Sequence, residues 1–183
     1  SLVIPAIVDA PGAVVTTSNK RDVVDVTRGI RAEAGDVWVF DPQGVANEEP
    51  TWWWNPLTYV TDDTQALMMA EHFASGSRAA AGATTDAYFD SEGRNLLADM
   101  LLAAAIGKVP ISKVYEWLSV PASPVAAELL AQGRDDGLNF PLQARRLLAM
   151  AGLADKQRDG VFGTARQMAA CLVIATGSIA DAD

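Results

Sequence analysis

The sequence predicts two parts, an α/β portion followed by a mainly α-helical domain, and two observations carry that reading. From Leu2 to Phe40, short β-branched runs alternate with helical segments in the order α-β-α-β, as parallel strands joined by crossover helices require. After Pro50 the β-branched runs all but stop, and Ala, Leu and Met recur at helical spacing. The boundaries read this way are residues 1–60 for the α/β portion, 61–178 for the helical domain and 179–183 for a tail.

Leu2 to Val8 reads as a helix running into the first strand. That strand is GAVVTT, Gly12 to Thr17, a β-branched run set between Pro11-Gly12 and Ser18-Asn19 and too short for a helix. Asn19 to Ala34 places Val23, Val24, Val26 and Ile30 among charged side chains, an amphipathic helix with Asn19 as its cap and Gly29 weakening its end. Asp36 to Phe40, DVWVF, is the second strand, closed by the turn residues Asp41-Pro42-Gln43-Gly44.

Beyond Pro50 the spacing predicts helices over 63–74, 86–107, 111–119, 122–133, 138–151 and 157–176. Asp86 caps the longest, in which Leu96, Leu97, Met100, Leu101 and Ala104 share a face, Gly93 is the weak point and Gly107-Lys108-Val109-Pro110 ends the helix. Val120-Pro121 stops the next helix and Gly133 the one after it. The small residues of SGSRAAAGATT, 75–85, read as a loop; with no Lys after a Gly and no strand before it, the segment is not a phosphate cradle.

Half of the 183 residues are hydrophobic and a fifth are charged, a composition that folds. No apolar run approaches the ~20 residues that span a bilayer, so the piece is expected to be soluble. The opening SLVIPAIVDAPG has neither an initiator Met nor a basic n-region and reads as an internal stretch rather than a signal peptide. The net charge is −9, with four basic against eight acidic residues in 1–60 and ten against fifteen in 61–183. A surface made to bind the phosphate backbone has the opposite balance.

With one His and one Cys no Ser-His-Asp or Cys-His set can be argued, and the lone His72 has no Cys or second His nearby with which to assemble a metal site of ordinary ligand count. Cys171, in AACLVIA, reads as a buried, inert thiol. Asp41 ends an apolar strand as the magnesium-binding carboxylate of an ATPase does, but Pro42 stands where a second acid belongs, which favours a turn. Asp62-Asp63 and Asp135-Asp136 fit helix starts or turns. Trp52-Trp53-Trp54 must send adjacent rings to opposite faces, so packing is favoured over base stacking, and Trp53 is a candidate partner contact. Arg145-Arg146 is a lone basic doublet on a helix, a solvated face that makes both residues candidates for partner binding.

Four strings stand in a particular order: LVIPAIV at 2–8, APGAVVTTSNKRD at 10–22, GDVWVFDP at 35–42, and Asn55-Pro56-Leu57. In that order and spacing the chain resembles the type IV coupling proteins, the TraG/TraD-like conjugation ATPases. The helical remainder, with YFDSEGRNLLADMLLAAA at 88–105, is similar to the all-α domain that family inserts between its Walker A and Walker B motifs. The resemblance makes the α/β portion a fragment of a RecA-like P-loop NTPase core lacking its Walker A loop, and the helical portion the inserted domain.

The resemblance implies a membrane-anchored homo-hexameric parent on the cytoplasmic side of the bacterial membrane. That parent would use ATP and Mg2+ to drive cargo into a type IV secretion channel, and no cofactor is expected for the fragment alone. Walker A would precede Ser1 and Walker B would follow Asp183. Where the family has Asp-x-Lys-Gly-Glu this chain has Ser18-Asn19-Lys20-Arg21-Asp22, which leaves Lys20 and Asp22 as the nucleotide-proximal residues. The helical domain would recognise the relaxase and relaxosome or secreted effector proteins, with DNA handled by the full-length motor. A DNA-translocating ATPase of the FtsK type and a non-enzymatic helical adaptor are the alternative readings.

Overall fold

The computed structural model describes residues 2–41, 43–49, 52, 54–81 and 86–173, and the chain divides into two units, Ser1–Trp54 and Asn55–Asp183.

In the first unit, α1 (Val3–Val8) packs on α2 (Asp22–Ala32). Arginines of α2 and of the residue before it fasten the surrounding loops. Arg31 donates to the carbonyls of Ala10 (2.9 Å) and Gly12 (2.7 Å), Arg21 to that of Ala46 (2.7 Å), and Arg28 pairs with Glu48 at 2.6 Å. The Trp52 indole N–H donates to Val39 O at 2.9 Å, and its ring meets Trp38 edge-on and Phe40 at centroid distances of 5.8 and 5.5 Å.

The expected α/β core is not there. Among the described residues no strand or bridge occurs, and the runs 12–17 and 36–40 pair with nothing. β-Branched residues stabilise a strand only where neighbouring edges complete the ladder and both faces are covered. Here Val15 is 96% and Trp38 68% exposed, and the Gly12 and Val39 carbonyls are taken by the Arg31 guanidinium and the Trp52 indole instead. The first unit is therefore two helices and loops held by side-chain clamps rather than a fragment of a RecA-like sheet. The helix itself starts at Asp22, not Asn19, and no side chain caps it.

The second unit is a helical bundle. After a 3-10 turn at Pro56–Tyr59 come α3 (Asp63–Ala81), α4 (Ala87–Ile106), α5 (Ser112–Ser119), α6 (Val125–Gln132), α7 (Pro141–Ala151) and α8 (Asp155–Met168). From Leu96 to Ala104 every residue of α4 is buried, and a helix apolar all round must be covered on all sides. The other helices and the turn provide that cover, α3 and α8 most of it.

Local chemistry sets the ends. Asp86 accepts from Tyr88 N (2.9 Å) and Asp62 from Gln65 N (2.8 Å), the side-chain caps that helix starts need. Gly133 ends α6 at φ +76°, where an added Cβ would lie 2.3 Å from Leu138 O. Gly93 lies where α4 packs against α8, its missing Cβ 3.0 Å from that of Thr164. The reciprocal contact sets Gly160 of α8 against the Phe89 ring.

Two further expectations change. The segment from residue 75 continues α3 to Ala81 instead of forming a loop, since its alanines are strong helix formers and Ser77 Oγ bonds back to Ala74 O; residues 82–85 lie outside the described ones. Cys171 is exposed, not buried.

Candidate partner-binding surface

Among its described residues the second unit carries one acid inside its apolar core. Asp99 of α4 is 2% exposed and sits between Ala98 and Met100. A lone carboxylate there needs a paired cation, and α7 provides it. Arg146 grips Asp99 bidentately, Nε donating to Oδ2 at 2.6 Å and Nη2 to Oδ1. One turn earlier on the same helix, the Gln143 amide donates to Asp63 Oδ2 of α3 at 3.2 Å. Burial pushes the Asp99 carboxyl above its usual range, and the Arg146 hydrogen bonds pull it part of the way back. At the more exposed end of the pair, the hydrogen bonds to Asp99 outweigh burial and hold the Arg146 guanidinium above its ordinary value. The pair fixes the rotation of α7 about its axis.

That rotation turns the other member of the doublet outward. Arg145 lines an open groove of about 330 Å³ between α6 and α7, with Pro124, Ala127, Glu128, Ala131, Pro141, Ala144 and Leu148. Phe140 N donates to Leu130 O (2.9 Å) and Arg134 N to Leu138 O (2.7 Å), so the connection folds back and α7 begins beside the end of α6. The floor is apolar, and one acid and one base stand on opposite walls.

The doublet read from sequence is thus split: Arg145 faces the groove and Arg146 anchors the helix that carries it. Trp53, the third partner candidate, lies outside the described residues. Lys20 and Asp22 are both exposed at the start of α2, where Ser18 Oγ closes a turn on the Lys20 backbone and the Asp22 carboxylate accepts from Val23 N. Asp41 has the turn role, its two oxygens accepting from Val45 N (2.8 Å) and Ala46 N (2.6 Å).

These residues do not by themselves fit ATP and Mg2+. The sequence holds no GxxxxGK[ST] loop, the Asp41 carboxylate is taken by backbone amides, and no cluster of three or more ligating side chains occurs among the described residues. No described helix is long and apolar enough to cross a membrane.

Sequence reasoning missed Asp99 and Glu128. The first had a signal: a single acid inside LLADMLLAAA demands a cation from another helix. Glu128 had none, because its place depends on how α6 and α7 pack.

A family model described as Type IV secretory system Conjugative DNA transfer matches residues 1–122, more than half of the chain. The chain belongs to that family. This is the TraG/TraD-like coupling protein family whose order of segments residues 2–57 resemble. Comparisons with curated proteins and with solved structures return no match. The family match takes in the first unit and α3 to α5, while the groove walls, at 124–148, lie beyond it.

Proposed function

We propose that the chain is the part of a type IV coupling protein that recruits cargo, with the helical unit meeting the relaxase and relaxosome or secreted effector proteins. In the full-length protein, a homo-hexamer on the cytoplasmic side of the membrane, ATP hydrolysis with Mg2+ would then drive that cargo into the secretion channel. Lys20 and Asp22 are the residues of this chain proposed to lie nearest the nucleotide there.

The observation that carries the reading is the charge of a helical unit that belongs to a DNA-transfer family. With fifteen acidic against ten basic residues over 61–183, it repels the phosphate backbone and attracts basic proteins. A part of the machine that gripped DNA directly would need the reverse balance. The test is a fluorescence anisotropy titration of the 183-residue chain against labelled DNA and against the relaxase of the same conjugative element. Relaxase binding without DNA binding supports the reading. DNA binding that weakens steeply with salt sinks it.

A further inference from the structure

We infer that the groove between α6 and α7 is where two copies of this chain meet, face to face about a two-fold axis. This goes beyond cargo recruitment, which rests on the charge of the helical unit and requires no particular groove.

The two walls have the same spacing. Pro124, Ala127, Glu128 and Ala131 line one, Pro141, Ala144, Arg145 and Leu148 the other, each set at intervals of three, one and three residues along its helix. Because the helices run in opposite directions, Glu128 and Arg145 both fall near mid-groove, on opposite walls. A two-fold axis through the middle of the groove carries each wall onto the other. It therefore sets Glu128 of one copy against Arg145 of the second, and does so twice, so that the surface is its own electrostatic complement. Neither side chain takes part in any of the intrachain salt bridges of the described residues.

The same face leaves apolar area uncovered. Leu148, which lines the groove, is 54% exposed. Pairing would place Leu148 against the second copy's hairpin, giving a four-helix contact with small residues at its centre, where backbones can approach closely. A two-fold contact joins copies in pairs. It is thus distinct from the head-to-tail contact that closes a ring.

Helices of about 12 and 16 Å present a small face, so the pairing is weak, with a dissociation constant of about 10–100 µM. Sedimentation equilibrium of the 183-residue chain from well below to well above that range gives the test. The wild type should pass from monomer to dimer. Glu128→Arg and Arg145→Glu should each weaken the dimer about tenfold or more, since either reversal brings like charges together twice. The double variant, E128R with R145E, should return to within about threefold of wild type, because the charges are exchanged rather than lost. That recovery also separates a lost contact from a lost fold.

A wild type that remains monomeric throughout overturns the inference and leaves the groove to a helix of another protein. A dimer indifferent to the single reversals, or one that the double variant fails to restore, overturns it as well.

Discussion

At the residue scale the ion pair between Asp99 and Arg146 carries the largest consequence of a single change. Arg146→Ala strands a carboxylate that is 2% exposed and should cost about 2–4 kcal/mol in urea unfolding, less than a fully enclosed pair would because the guanidinium is partly wet. Asp99→Leu combined with Arg146→Met should recover most of that loss, since an apolar pair of similar size needs no desolvation of charge. The pH dependence has a definite sign. Burial holds the folded-state pKa of Asp99 above its unfolded value, so the folded protein binds more protons between the two. The contribution of Asp99 to stability is therefore fully present below the ordinary carboxylate range and is lost as pH rises through the raised folded value. Asp99→Asn should flatten that part of the stability profile. The sequence marked Arg146 but placed it on a solvated face: helical periodicity alone does not say which member of an adjacent pair turns inward when a buried acid waits on another helix.

At the element scale the contact of α4 with α8 gives a paired test within one helix. A Cβ at Gly160 would lie 2.5 Å from the Phe89 ring, whereas a Cβ at Gly163 meets only Arg166 Nη2 at 4.0 Å. Gly163→Ala should therefore raise stability by about 0.5–1 kcal/mol through helix propensity. Gly160→Ala should lower it by about 1–2 kcal/mol, the displaced ring outweighing the same gain. Thermal unfolding of both variants checks the contrast. Helices such as α4, with its Asp86 cap and Leu-rich run, were legible because propensity, cap and periodicity agree. The two expected strands do not occur among the described residues, because β-branched composition states a preference that only a neighbouring strand can satisfy, and in the first unit Arg31 and Trp52 bond the carbonyls at Gly12 and Val39.

At the scale of the whole molecule the two units differ in what holds them. Among the described residues the first buries only Ile7, Thr27 and Ala46, while the second has the long core centred on α4. Residues 55–183 expressed alone should unfold in one cooperative transition, and residues 2–54 alone should show none, as circular dichroism during heating will tell. The family was legible from the order of four short strings, which holds even though the strands read into two of them do not occur among the described residues. The groove was not, since it arises from packing and lies outside the matched stretch.

The central claim is that the acidic helical unit meets protein rather than DNA. Anisotropy titration at low salt sets it against labelled single-stranded and duplex DNA in parallel with the relaxase of the same element. Saturable binding of relaxase with flat DNA curves is the predicted result. Tight DNA binding that falls away as salt is added, with no response to relaxase, would contradict it.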